Sequence, residues 1–417
     1  MISYYCHDKN IFRKCSSALT TCIPIKSVRK DKRFKTMKCI QKSLGILSPR
    51  YPIENFCVPR QTLFIDIETT GLYVRSSNLY MIGCAYLDEQ ENAPTEWRSI
   101  QWLATNYEDE VNVLNAFASF AKAYRYLIHF NGNQFDIPYL QSKMQQYNIR
   151  LDFDSYEGID IYRRISPYKA FLKLPNCKQK TIENFITSTV REDAYSGGEL
   201  IDIYHEYVLN HDESKEHLLL LHNEEDVKGM LEIVAALAVC DLFHLPMKVT
   251  KVQANYFKDI NQRQCSEIIM SLKLPTALPS EISYGANDCY FSGCGTEGKL
   301  RVPIYEGELK YFYSNYKDYY YLPKEDTAIH KSVASFVDKD YRKQAAARTC
   351  YTRKASSYLP QWDTLFTPFF KKDYDDKDLY FELTDEFKTQ RESFNLYAHH
   401  ILEMMGAKHK YDINCTE

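Results

Sequence analysis

"FIDIETTGL", Phe64 to Leu72, sets two acids one residue apart inside an apolar run and follows them at once with Thr-Thr-Gly. A strand repeats every two residues, so Asp66 and Glu68 project from one face about 7 Å apart along the backbone, while Phe64, Ile65 and Ile67 bury themselves. Two carboxylates at a buried edge repel. The pair is tolerable where something positive lies between them, and a divalent cation is the usual candidate. Further ligands for that cation are then expected elsewhere in the chain.

Outward from this strand the periodicity predicts strands over Thr62 to Thr69, Asn78 to Leu87 and Trp97 to Leu103, then a helix in "YEDEVNVLNAFASFAKAY". A strand "YLIHFNG" and a helix "FDIPYLQSKMQQYN" follow. Three successive strands, then alternating helix and strand, imply a mixed α/β sheet flanked by helices. Helical patterns dominate from Asp160 to about Leu245, where "GMLEIVAALAVCDLFHLP" meets a proline. The expected division is a basic N-terminal extension, 1–60, an α/β domain, 61–245, and a C-terminal α+β region, 246–417.

Charge follows the same division. Residues 1–60 hold 13 Lys and Arg against 3 Asp and Glu, whereas 61–245 hold 15 against 28, so the middle of the chain is acidic. An acidic segment cannot attract phosphate by bulk charge; it needs local metal ions and basic neighbours such as "SVRKDKRFKTMK". From composition alone that stretch reads more readily as a solvated amphipathic helix face. The 13 cysteines are irregularly spaced and several sit in apolar runs, which argues against a disulfide framework and for a reducing cytosol. Neither Cys6-His7 with Cys15 and Cys22, nor Cys289 with Cys294, has the paired spacing of a zinc site. No apolar run approaches a membrane span, so no membrane is expected as a partner.

Other acids lie at informative places. In "FNGNQFDIPYL", Asn131-Gly132 turns the chain and Asp136 opens a helix whose first turn suits Pro138. In "LLLLHNEEDVKGMLEI", His222 and Asp226 are four apart and share a helix face. Taken singly, each is as well explained as a helix-start acid or a solvated pair. Taken in order, Asp66-x-Glu68-Thr69-Thr70-Gly71-Leu72, Asn131-Gly132 with Phe135-Asp136-x-Pro138-x-Leu140, and His222-Asn223-x-x-Asp226-Val227 resemble the three exonuclease motifs of the DEDD superfamily. That superfamily is built on the ribonuclease H-like fold. "DIYRRISPYKAFLKLPNCKQKTIENFI", "SGGELIDIYHEYV" and "HNEEDV" extend the likeness to the bacterial YprB-like ribonuclease H-like domain, over roughly 61–240.

The resemblance implies a metal-dependent nuclease, a 3′→5′ exonuclease on single-stranded DNA or RNA ends, with two Mg²⁺ or Mn²⁺ ions. By the same resemblance Asp66 would bridge both ions, Glu68 and Asp226 would complete the coordination of the first ion, and Asp136 would hold the second, partly through water. Carboxylates suit such ions, which prefer oxygen and keep several waters. Thr69, Thr70, Gly71 and Leu72 would meet the terminal nucleotide, Asn131 would join them, and Lys180 could contact a phosphate. His222 departs from the better-described branches: it stands at the tyrosine's spacing, four residues before the last aspartate. It could act as general base, position the water, or pack as a satisfied helix histidine. Asp160 and Glu183 are read as orienting structure.

Beyond residue 285, aromatic strands followed by a basic helix from Asp326 or Thr327 are expected. Its tyrosines interleave with Lys310, Lys317, Lys331, Arg342, Lys343, Arg348, Arg353 and Lys354, a pattern that suits single-strand binding and suits plain strand packing equally. Two other functions share the motifs: a binding or scaffold protein without turnover, and a structure-selective endonuclease.

Overall fold

The structure is a computed structural model that describes residues 37–46, 49–88, 95–187, 195 and 197–406. Most of the basic stretch before Met37, with Cys6, His7, Cys15 and Cys22, lies outside the described residues. The first strand is β1 (Lys38–Ile46), followed by β2 (Thr62–Thr69), β3 (Leu79–Asp88) and β4 (Glu96–Leu103). Helix α1 (Glu110–Ala121), β5 (Tyr126–His129), α2 (Asp136–Gln146) and β6 (Glu157–Asp160) complete a six-stranded sheet in the order β1-β4-β3-β2-β5-β6. Pairs β2/β5 and β5/β6 are parallel; the others are antiparallel. This is a mixed sheet flanked by helices, as the alternation of apolar residues predicts, in the ribonuclease H-like form that the motif resemblance implies. Leu63, Ile65 and Ile67 enter one core and Phe64 the other, with Asp66 and Glu68 on the Phe64 side of the pleat.

Helices α3 (Ile161–Ile165), α4 (Gln179–Ile186), α5 (Gly197–Asn210), α6 (Glu213–Ile233) and α7 (Ala238–His244) follow. Among the described residues no helix is long and apolar enough to cross a membrane. Three strands come next: β7 (Lys248–Lys258), β8 (Gln264–Ala286) and β9 (Cys289–Pro303), a sheet in that order. Then come β10 (Tyr305–Phe312), β11 (Tyr319–Leu322), β12 (Thr327–His330), α8 (Lys331–Ala334), β13 (Lys343–Gln344), β14 (Tyr351–Gln361), β15 (Phe369–Phe370) and β16 (Leu379–Glu382). They form sheets β10-β14-β16-β15 and β12-β11-β13, and α9 (Asp385–Thr389) and α10 (Arg391–Gly406) close the described chain.

Three expectations are corrected. The extension does not run unbroken to residue 60, because β1 pairs antiparallel with β4 as an edge strand of the sheet. Its lysines are held by the acidic face of α6: Lys38 Nζ lies 2.5 Å from Glu216, and Lys42 pairs with Glu224. Position 246 separates helices from strands but not two cores. One apolar cluster joins Ile128, Val227 and Phe243 to Val249, Met270, Leu300 and Ile401. The basic helix from Asp326 or Thr327 is instead β12 and a single helical turn. Thr327 and Ile329 are β-branched, and β12 pairs along its length with β11, while Asp326 sits at φ +50° in the turn between them.

Candidate active site

Asp66 lies in the middle of the sheet, opposite Gly83 on β3, which is in turn opposite Gln101 on β4. Gly83 lets α6 approach: a Cβ there would stand 1.9 Å from Asn223 Oδ1. Asn223 is fully buried and donates Nδ2 to Asp66 Oδ2 at 2.9 Å. Its Oδ1 accepts from Gln101 Nε2 at 3.0 Å, and the same nitrogen donates to Leu220 O at 2.8 Å. Gln101 thereby fixes which end of the Asn223 amide faces Asp66. The donor end does.

Burial first, and then the charges of Asp226, Glu68 and Asp136, push the Asp66 carboxyl well above the usual carboxylate range; the Asn223 bond works against them. Asp136, at the start of α2, is pushed up to about 7, chiefly by burial, although the backbone N–H groups of its own residue and of Ile67 hold its charged form. The bond to Ile67 seats α2 against β2. One turn of α6 supplies the remaining groups. His222 Nε2 lies 3.1 Å from Asp226 Oδ2 and 3.6 Å from Glu68 Oε1, and one donor atom from each of the three falls within 4.8 Å of the others. Tyr80, whose ring stacks on Tyr204 at 4.2 Å, adds a hydroxyl bond to Glu68. Asp66, Glu68, Asp136, His222 and Asp226 thus come together although 160 positions separate the first from the last.

The neighbouring turns are built to hold these groups. Thr69 Oγ1 donates to Gly71 O at 2.9 Å, Thr70 N donates to Asn78 O at 2.8 Å, and Asn78 N returns a bond to Thr70 Oγ1 at 2.8 Å. Beyond this brace Leu72 is 76% exposed. A buried ion pair supports the loop from below: Lys143 Nζ reaches Glu110 Oε1 at 2.9 Å and donates to Ser77 O at 2.5 Å. Glu110 also accepts from Leu79 N at 2.6 Å and Tyr147 Oη at 2.7 Å. Asn131, at φ +60°, leads the chain toward Asp136; Asp160 accepts from Asn131 N at 2.9 Å and from Arg163 N at 3.2 Å. Asp160 therefore both ties the turn and caps α3.

Lys180 is exposed on the first turn of α4. Its neighbour Gln179 is the residue that reaches the site, donating Nε2 to Asp226 O at 2.8 Å and to Glu183 Oε1 at 3.0 Å. Glu183 fits only because position 229 is glycine, where a Cβ would be 2.0 Å from Glu183 Oε1. Asn223, Gln101, Gly83 and Gln179 carry no role in the sequence reading. One signal pointed to them: Gly83 interrupts the apolar strand "LYMIGCAYL", and a glycine inside a strand marks close approach of another segment. A buried excess of carboxylate oxygen with one imidazole fits a divalent cation such as Mg²⁺ or Mn²⁺.

Residues 63–238 match the model of a family described as the RNase_H superfamily, a span that takes in β2 to the start of α7. No curated protein matches the chain. Among solved structures, it is similar to the zinc-bound complex of E. coli exonuclease I with single-stranded DNA, at 10% identity and TM-score 0.24, covering 52% of this chain and 55% of that one. The complex of E. coli exonuclease I with a 5cy-dA13 oligonucleotide aligns at 11% identity and TM-score 0.23, covering 50% and 54%. A product-bound exonuclease I aligns at 10% identity and TM-score 0.24, covering 84% and 72%. This chain spans about half the length of the first of these.

Proposed function

We propose that this chain is a metal-dependent nuclease of the DEDD type, YprB-like in its domain, that shortens single-stranded DNA or RNA from the 3′ end. The observation that carries this reading is the meeting of Asp66, Glu68, Asp136 and Asp226 in one buried, mutually repelling group, with His222 among them. A protein retains such repulsion where a cation offsets it.

In this reading Asp66, Glu68, Asp136 and Asp226 would hold two divalent cations, Mg²⁺ or Mn²⁺. The bound ions would supply Lewis acidity toward the attacking water, the phosphate and the departing 3′ oxygen. The chain's own groups do the rest. His222 Nε2, between Glu68 and Asp226, takes the proton of the water, and the Asp226 carboxylate steadies the imidazolium. Asn223 donates to one oxygen of Asp66 and so fixes the orientation of its carboxyl group. The braced Thr69-Thr70-Gly71 turn receives the terminal nucleotide, and the exposed side chain of Leu72 presses on its base. Asn131, in the turn before Asp136, and Lys180, exposed on the first turn of α4, would meet sugar or phosphate.

Incubating the purified chain with end-labelled single strands in Mg²⁺, in Mn²⁺ and in chelator tests the reading. Stepwise shortening that stops in chelator is expected. Internal cuts would make it an endonuclease, and retention without cleavage a binding protein. Turnover and a pH profile left unchanged by His222→Ala would remove that histidine from the reaction.

A further inference from the structure

The tyrosine-rich strands attract attention as a binding surface, yet many of their rings and bases are already paired within the chain. Tyr313 stacks on Tyr319 at 4.4 Å, Lys310 lies 4.7 Å from the Tyr351 ring centre and Arg342 lies 4.9 Å from that of Tyr320. Three bases there have acids: Lys331 with Asp318 at 2.7 Å, Arg353 with Glu308 at 3.1 Å and Lys354 with Glu382 at 2.6 Å. Faces and charges occupied in this way leave little for a strand of bases to replace.

The sheet β7-β8-β9 is different. Its even positions on β8, such as Ile268, Met270 and Leu272, are buried with Leu300 and Val302 in the main core. The opposite face is read from the register. Lys248 pairs with Lys273, which pairs with Glu297; the next row is Lys251, Ser271 and Lys299. All four lysines are exposed, and among the described residues none forms an ion pair with a carboxylate. Lys273 donates only to Thr296 Oγ1, at 2.6 Å. The acids of this face are Glu281, Glu297 beside Lys273, and Glu267, which is buried and gripped by Arg301 at 2.7 Å and Asn255 at 2.7 Å. A groove of about 390 Å³ runs between Lys273 and Lys299, floored by Ser271 and Ser292 and walled by Glu281 and Glu297. Like charges directly opposite one another, as Lys248 and Lys273 are, destabilise a sheet in isolation.

We propose that this face of β7-β8-β9 is the track for the backbone of a single nucleic-acid strand. Rows two residues apart repeat every 7 Å or so along a strand, comparable to the spacing of successive phosphates in an extended chain. Phe257, on the same face toward the hairpin tip, is 39% exposed and offers a ring for a base. The identity of the strand rests on the nuclease reading above; the charge arrangement does not.

The test is fluorescence anisotropy of the full chain with a labelled oligothymidylate in chelator, so that binding is seen without turnover. Each lysine neutralising one phosphate adds about 0.7 to the slope of log affinity against log salt on a single strand. The triple variant K248E/K251E/K299E is expected to flatten that slope by about 2 and to weaken binding at least tenfold at low salt. K310E/K354E on the tyrosine strands is expected to leave the slope unchanged. Should the triple variant misfold, acetylation of lysines in the native chain reads the same point: bound oligonucleotide protects Lys251 and Lys299. An unchanged slope, unprotected lysines or a native chain that does not bind overturns the proposal. Hydrolysis with an unchanged slope would sink this surface and leave the nuclease reading; a flattened slope without hydrolysis in Mg²⁺ would do the reverse.

Discussion

Around Asp66 the chain gathers Glu68, Asp136 and Asp226 so closely that their charges add to the effect of burial on one carboxyl. Across β10, β14 and β16, bases and acids instead alternate, Arg353 beside Glu308 and Lys354 beside Glu382. The first arrangement costs folding free energy and the second does not, so they answer to different demands. A cluster that violates local charge matching, yet is framed by a buried amide, Asn223, hydrogen-bonded at both ends, marks a place kept for something other than stability. The matched strands form a scaffold. The contrast can be broken at either end.

Asp66→Asn should have the largest effect. Hydrolysis of an end-labelled strand is expected to fall roughly a thousandfold or more, the scale seen when transition-state charge stabilisation is removed. In chelator the same variant should melt higher than the native chain, because a buried charge facing three acids is gone. A lower melting temperature would place the acids in the scaffold class.

Lys143→Met tests a matched pair buried within the same half. Both partners are nearly inaccessible, with side-chain exposures of 4% and 1%, so the change strands Glu110 as an unpaired charge. A loss of about 3 kcal/mol in urea unfolding is expected. Gly83→Ala is the next step down. Its Cβ would collide with Asn223 at 1.9 Å, forcing the amide off Asp66, and a loss of about 2 kcal/mol with weaker Mn²⁺ binding by calorimetry is expected.

The acids also set a pH dependence. The folded pKa of Asp136, about 7, lies above its unfolded value, so the folded state binds this proton more tightly than the unfolded state does. Its contribution to stability is present at low pH and is lost as pH rises from about 4 toward about 7. Asp66 acts in the same direction. Urea midpoints in chelator should therefore decline over that window, less so in Asp136→Asn, and saturating Mg²⁺ should shrink the decline by taking the proton's place.

The legibility of these features follows their range in sequence. The strands and turns from β2 to α2 were readable because alternation and Asn-Gly or Pro signals act within a few residues. β1 was not: "KCIQKSLGI" sets its apolar residues among lysines, and the glutamate that holds Lys38 lies 178 positions away. Asp66, Glu68, Asp136 and Asp226 could be picked out by order, but Gln101 has no local mark, and its partner Asn223 is 122 positions distant. Gln179, uncharged and without a local mark in the sequence, reaches the backbone oxygen of Asp226 from 47 positions away. Lys-Gln-Ala-Ala-Ala-Arg favours helix by propensity, yet β13 ends inside it at Gln344, whose side chain donates to Tyr319 O at 2.9 Å.

Arg348→Ala should be the smallest effect, and its smallness is informative. Arg348 pairs with Asp375 at 2.6 Å, but the side chains are 69% and 63% exposed. Water already solvates both, and holding two long side chains in one geometry costs entropy that offsets most of the attraction. A change below about 1 kcal/mol in urea unfolding is expected, shrinking further at high salt. The guanidinium also lies 5.8 Å from the Tyr374 ring centre, which would keep a residual effect insensitive to salt. Were the loss several times larger, the tyrosine strands would depend on each of their charges as the acid centre does, and the distinction between scaffold and site would rest on burial alone.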